Sequence, residues 1–375
     1  MRLKNENDNA SRLGRFTRNV LDSALSFRDD FSAHIHGRMD TLRSMCPHVA
    51  YYYQRLAQYQ KGMGSIAQAV QSGSFHRTTV VVYVASLHFG RNADHTHYIH
   101  LNDASPSDTF VESLREWSAD MQFRVMLGGA GGAYGTLFES AASYQACYGL
   151  LIDLLTRHRD VLSGIDLDVE EPVRLDDIKM LIRDIKSDLG DEFAVTMAPI
   201  SLAMETDSPG LGGFVYKDLY TDPEVGRMID GFNVQCYRGS FVSSTFDAIV
   251  ANGYAPEHLT LGMLGDEFTG ADDPAFESSV RDLCRFRSAH PSLQGVVLWE
   301  FGDTRIDPVE WGTAVSAPHY FLTNAFVDQC ERVVADVTKV LLLFMCHMVR
   351  HALHAMRHFF YMIDTLHMTS IEHWV

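Results

Sequence analysis

From His48 onward the chain repeats one pattern: short apolar runs rich in β-branched and aromatic residues alternate with longer segments of helical period. The runs cover residues 48–54, 79–87, 123–129, 162–169, 193–200, 229–237, 259–264 and 295–301. Helical spacing falls on 108–121, 138–158, 175–189, 245–252 and 275–290, and 308–315 reads as a short closing helix. A run such as Val80-Val81-Val82-Tyr83-Val84 has no polar alternation, so it predicts a strand covered on both faces, as parallel sheets require. Eight such units between His48 and Phe301 predict an α/β fold, a closed (β/α)8 TIM barrel rather than an open doubly wound sheet.

The flanks follow different patterns. Residues 1–45 read as a polar, then helical extension, with a helix from 19 to 45 carrying Val20, Leu21, Leu25 and Phe27. The barrel is assigned to 46–316, and 317–375 to a helical tail in which 321–366 form one or two helices. The apolar stretch 340–346 is too short to span a bilayer, which takes about 20 residues. His347, His351, His354 and His358 fall on one helical stripe. Zinc binding is conceivable there, but the stripe also reads as the polar side of an amphipathic helix whose other side is Leu342, Met345, Val349, Leu353 and Phe360. The amphipathic reading is preferred, and it predicts contact with the barrel, a membrane surface or a protein partner.

Composition narrows the class. The 375 residues are 46% hydrophobic and 21% charged, a globular balance with a full core. The formal net charge of -17 would repel a phosphate backbone, so no nucleic-acid partner is expected. Six cysteines without a C-x-x-C pair read as free thiols. The first twenty residues carry no apolar run and do not read as a secretory signal, which leaves location open between the cytoplasm and export by another route.

The chemistry is concentrated in the fourth run, Ser163-Gly164-Ile165-Asp166-Leu167-Asp168-Val169-Glu170. Three acids at every second position share one face of a strand, about 6.6 Å apart at about 3.3 Å per residue, while Ile165, Leu167 and Val169 take the other. Pointed into a barrel, such carboxyls contradict a purely structural role, because inward positions there hold packed branched residues. No arginine or lysine stands at an obvious inward position to neutralise them. Their titrations are expected to couple, with at least one proton retained near neutrality.

This segment resembles the D-x-x-D-x-D-x-E signature of glycoside hydrolase family 18, the chitinases and endo-β-N-acetylglucosaminidases. Further resemblances fall on other runs: Gly128-Gly129 to the family's S-x-G-G turn, Met197-Ala198-Pro199 to its M-A-P, Gln235-Cys236-Tyr237 to its Q-x-Y, and Trp299 to its eighth-strand tryptophan. Glu171-Pro172 is similar to a single-barrel fungal and bacterial branch. The resemblance implies a retaining glycosidase acting on β-1,4-linked N-acetylglucosamine, in chitin oligomers or the chitobiose core of N-glycans. Its substrate-assisted mechanism runs through an oxazolinium intermediate and needs no metal or organic cofactor. It implies that Glu170 is the general acid and base, that Asp168 holds the acetamido N–H, and that Asp166 shares a proton with Asp168. Tyr237 would hydrogen-bond the acetamido carbonyl, and Trp299 would stack on the sugar. Gln235, Met197, Gly128, Gly129 and Arg238 complete the expected substrate contacts, and Ser86, His88, Asp266 and Glu267 are loop-side candidates.

Departures from the family pattern matter. Ser163 replaces the first acid, Met126 stands in the serine position, and Arg238 follows the tyrosine. The second acid of Glu171 is assigned a structural role. The short seventh unit leaves no room for an inserted domain, which predicts an open cleft. Gly128, Gly129, Gly131 and Gly132 read as a tight turn and not as a phosphate cradle, since no Lys-Ser/Thr follows. His95, His97 and His100 form a loop cluster without a convincing metal set. Two other classes remain open: a catalytically inactive chitinase-like lectin or inhibitor on the same barrel, and a tethered or self-assembling protein whose tail is the functional part.

Overall fold

The computed structural model describes residues 48–54, 59–75, 78–102 and 107–317. The expected N-terminal extension and the His-rich tail helices lie outside these residues. Among the described residues there are nine strands: β1 His48–Tyr53, β2 Thr79–Arg91, β3 His97–Leu101, β4 Gln122–Gly128, β5 Leu162–Asp168, β6 Ala194–Met197, β7 Gly231–Gln235, β8 Leu259–Leu264 and β9 Gly295–Trp299. They form one sheet in the order β1-β9-β8-β7-β6-β5-β4-β2-β3, and parallel pairing of β1 with β2 closes the ring. This is the (β/α)8 barrel, with β3 as an antiparallel appendage on the end of β2.

Main-chain pairing closes the ring without a free edge on the parallel strands, and helices cover the outside. The longest are Ala141–Arg157, Leu175–Leu189 and Pro274–Ala289. Leu175–Leu189 turns Ile178, Leu181, Ile182 and Ile185 to the barrel, the i, i+3, i+4, i+7 spacing of a buried helical stripe. Two helix starts are capped by aspartate ahead of proline. Asp273 accepts from Ala275 N, and Asp307 accepts from Val309 N and Glu310 N. Cys147, Cys236 and Cys284 are buried free thiols.

Three features differ from the sequence expectation. β2 runs on to Arg91 and turns back through β3, in a stretch expected to be loop, because a half-exposed hairpin rich in histidine carries no apolar run. Tyr59–Gln71 is a helix although no helical segment is predicted between the first two strands. The link from β6 to β7 holds two short helices, Ser201–Glu205 and Tyr216–Tyr220, where none is predicted. Between β8 and β9 the chain makes only a short turn and the helix Pro274–Ala289, so that unit carries no inserted domain. Among the described residues no helix is long and apolar enough to cross a membrane.

Candidate active site

β5 delivers the acids to the barrel interior. Its register pairs Met126 with Asp166 and Gly128 with Asp168 on β4, and Asp166 with Thr196 on β6. Partners across parallel strands share a face, so the row Asp166, Asp168, Glu170 climbs the inside of the barrel. Asp166 is fully buried, Asp168 is 4% exposed, and Glu170 reaches the half-exposed rim.

Asp166 is held by donors from three other strands. Tyr52 Oη donates to its Oδ2 at 2.6 Å, while Thr196 Oγ1 at 2.6 Å and Asn233 Nδ2 at 3.0 Å donate to its Oδ1. Burial raises its pKa, opposed by the bonds from Thr196 and Tyr52, the charge of Arg124 and the bond from Asn233. Asp168 lacks such a cage. Burial pushes its pKa well above the carboxylate range, and the negative charges of Glu170 and Asp166 add to the rise.

The sequence expectation of no inward cation is corrected. Arg124 on β4 is 8% exposed and pairs in register with Tyr83 and Gly164. Its Nη1 donates to Tyr83 Oη at 3.2 Å, and the guanidinium lies 5.8 Å from the Tyr83 ring centroid. Gly164 makes room for it, since a Cβ there would stand 3.1 Å from Arg124 Cδ. Within the run Phe123-Arg124-Val125-Met126-Leu127 one charged residue gave no sign of its direction, because neighbours on both faces are apolar.

Above this floor lies a cavity of about 220 Å³, bordered by Asp168, Glu170, Gln235, Tyr237, Trp299 and Gly129, and also by Tyr52, Gln54, Ser86, Met126, Ala130 and Ala198. The Gln235 amide bridges the acids, with Nε2 at 3.2 Å from Asp168 Oδ1, 3.4 Å from Glu170 Oε1 and 2.9 Å from the Ala198 carbonyl. The Tyr237 phenol is pushed up by its enclosure and by the nearby Asp168 charge. Trp299 packs against the Tyr52 ring, centroids 5.0 Å apart at 60°.

Three expected contacts, Met197, Gly128 and Arg238, do not border the cavity. Met197 is fully buried and pairs with Leu167; because Thr196 faces Asp166 inside, Met197 faces the helices and Ala198 takes the inward place. Arg238 is exposed outside the cavity, in left-handed backbone at φ 54°. Of the loop-side candidates only Ser86 borders the cavity. His88 is buried and does not line the cavity, with Nδ1 2.9 Å from the Gly132 carbonyl. The residues that hold Asp166, namely Tyr52, Thr196 and Asn233, were missed because they come from strands distant in sequence. Among the described residues no group of three or more His, Cys, Asp or Glu side chains is arranged to hold a metal.

The glycines after β4 set the wall. Gly128 sits at φ 96° behind the cavity, where a Cβ would meet the Asp168 carbonyl at 2.4 Å, and Gly129 N donates to that same carbonyl at 2.8 Å. Glu171 clamps the loop that follows: its carboxylate accepts from the backbone N–H groups of Ala133, Tyr134 and Gly135. The two adjacent glutamates thus divide their work, Glu170 facing the cavity and Glu171 the loop.

Fold and site together define a glycosidase-type barrel with an acid row on its fourth parallel strand. Its fold is that of glycoside hydrolase family 18. The chain is similar to a fungal endo-β-N-acetylglucosaminidase of that family, with 28% identity, 72% of this chain and 97% of the other covered, and a TM-score of 0.57. It is equally similar to chitinase ChiC from Aspergillus fumigatus, with 28% identity, coverage of 68% and 92%, and a TM-score of 0.57. A putative chitinase A from Streptomyces coelicolor shares the fold at 16% identity, with coverage of 72% and 98% and a TM-score of 0.53. No family model and no curated protein sequence matches the chain.

Proposed function

We propose that the protein is a retaining glycosidase that cleaves β-linked N-acetylglucosamine with assistance from the substrate's own acetamido group. The observation that carries this reading is the gathering of Asp168, Glu170, Gln235, Tyr237 and Trp299 around one cavity. The likeness at 28% identity to a fungal endo-β-N-acetylglucosaminidase and a fungal chitinase supports it. Glu170, at the rim, donates a proton to the leaving glycosidic oxygen as the bond to the anomeric carbon breaks. The acetamido oxygen attacks that carbon and forms the oxazolinium ring. Asp168 holds the acetamido N–H, and Tyr237 orients the acetamido carbonyl. Glu170, now a carboxylate, takes a proton from water as it adds to the anomeric carbon, which opens the ring and returns the acid to its first state. Trp299 offers its indole face to the sugar.

The substrate class follows from this chemistry: chitin oligomers or the chitobiose core of N-glycans, both with the acetamido group the mechanism needs. The test is release of the aglycone from an N-acetylglucosaminide reporter. Wild type is expected to turn over, and Glu170→Gln to lose a factor of about 10² to 10⁴ in kcat while remaining folded. Equal rates in the two would refute the assignment. Binding of chitotetraose without turnover by either would replace it with the inactive, sugar-binding alternative. Comparing chitotetraose with a high-mannose glycopeptide identifies the substrate.

A further inference from the structure

The barrel floor holds a buried cation that the mechanism above does not use. Among the described residues Arg124 has no carboxylate within ion-pair distance, and its Nε is buried without a hydrogen-bond partner. Leaving a guanidinium so poorly paired is expensive unless its field acts on a nearby anion. A chain of donors leads from it to such an anion. Arg124 Nη1 donates to Tyr83 Oη at 3.2 Å, and Tyr83 Oη donates to Asn233 Oδ1 at 3.4 Å. Asn233 Nδ2 then donates to Asp166 Oδ1 at 3.0 Å and to Tyr52 Oη at 3.0 Å, and Tyr52 donates to Asp166 Oδ2. Every hydrogen in this chain points away from the cation and toward the carboxylate. Each of the Asp166 oxygens therefore meets a donor, the arrangement that favours its ionised form.

We propose that Arg124 is a positioning residue for the acid row: from beneath, it keeps Asp166 ionised, so that the proton shared by Asp166 and Asp168 resides on Asp168, next to Glu170. The inference rests on the glycosidase reading for its catalytic meaning, though not for its electrostatics. Two neighbouring acids that compete for one proton yield it to the member farther from a positive charge. Asp166 lies above Arg124 and Asp168 a further strand step away, about 6.6 Å at about 3.3 Å per residue. The sequence fits this division. The first signature acid is Ser163, whose hydroxyl is turned to the Phe123 carbonyl at 3.1 Å, so the floor holds a cation and no third carboxylate. Gly164, beside it, opens the space in which the Arg124 stem lies.

The other titratable groups around Asp166 do not supply this charge. Asp168 and Glu170 are acids on the same strand, and Tyr52 and Tyr83 are phenols on β1 and β2. The phenols of Tyr134, Tyr216 and Tyr237, which also feel the Asp166 charge, are all pushed up by burial and stay neutral. His48, at the foot of β1, has its pKa lowered to about 4 by burial and by Arg124, so it too is neutral near pH 7.

The test is a ¹³C NMR titration of the full chain with aspartate labelled at the side-chain carboxyl, Asp166 and Asp168 being assigned through Asp166→Asn and Asp168→Asn. In wild type Asp166 is expected to titrate below Asp168. Arg124→Gln should raise the Asp166 midpoint by about one pH unit or more, as loss of a nearby opposite charge does. Arg124→Lys should keep it close to the wild-type value. The acid limb of the hydrolysis profile should move up with Asp166 in Arg124→Gln and return in Arg124→Lys, a pattern that mere loss of packing would not produce. An unmoved Asp166 midpoint in folded Arg124→Gln would overturn the proposal. If that variant does not fold, the wild-type order decides, and Asp166 titrating above Asp168 would overturn it equally. A wild type with no hydrolysis refutes the glycosidase reading alone, because the carboxyl titration judges Arg124 without turnover.

Discussion

Glu171 shows how much of the site depends on a residue that touches no substrate. Its carboxylate collects three backbone N–H groups in the loop that carries Gly129 and Ala130 along the cavity wall. Hydrogen bonds to a charged acceptor contribute about 1.5–3 kcal/mol each when shielded, and less when water competes, as it does at this half-exposed side chain. Glu171→Ala is expected to destabilise the protein by about 2 kcal/mol in urea unfolding, because three donors lose one acceptor together. KM for the reporter should rise severalfold, while Glu170 keeps its place and kcat falls less. A variant with unchanged KM would show that the wall holds without the clamp. The sequence singled out both glutamates and gave the second a structural role, but its partners were invisible because they are main-chain groups with no identity to read. Arg124 was illegible for the converse reason: its identity was plain and its direction was not, since only the register with Gly164 turns it inward.

At the scale of elements, legibility followed burial. The eight barrel strands are covered on both faces and so appear as apolar runs; β3 is half-exposed, mixes histidine with apolar residues, and stayed hidden. Short β6 shows the penalty of a single step in parity. Met197 and Thr196 are neighbours, and the inward place belongs to the threonine that binds Asp166, so Met197 of the M-A-P resemblance faces away from the cavity. The helix Leu175–Leu189 is also anchored by a buried ammonium. Lys186 is buried, and its Nζ donates to Asp230 Oδ2 at 2.8 Å and to the carbonyls of Asp191 at 3.1 Å and Phe193 at 2.9 Å. Asp230 Oδ2 also accepts from Val195 N at 2.8 Å, so this ammonium ties the end of the helix to the starts of β6 and β7. Removing one partner of a fully buried pair costs about 3–5 kcal/mol, and the partial exposure of Asp230 reduces this. Lys186→Met is expected to cost about 2 kcal/mol and to lower Tm by about 5 °C in calorimetry. A melting point equal to wild type would mean that the helix docks without help from this ammonium.

Over the whole molecule the acid row sets stability against function. Burial pushes the Asp168 pKa well above the carboxylate range in the folded chain, whereas in the unfolded chain the residue ionises near the ordinary aspartate value of about 3.9. A group whose folded pKa is raised gives its full stabilisation below the unfolded pKa and loses it as pH rises toward the folded one, because the folded state then binds the extra proton. Asp168→Asn removes this linkage and keeps a side chain of the same shape. Its melting temperature should match wild type near pH 4 and exceed it progressively toward pH 7, while hydrolysis falls. His48 works in the opposite sense: its folded pKa of about 4 lies below the model-peptide value, so its contribution is present above about 6.5 and lost as pH falls through about 4. It is common to both proteins, however, and cancels in their difference. Calorimetric melts of the pair from pH 4 to pH 8 therefore isolate Asp168. A constant gap across that range would mean that burial does not hold its proton, and Asp166 and Asp168 would then both reach neutrality charged, an arrangement that like-charge repulsion in a buried site strongly opposes.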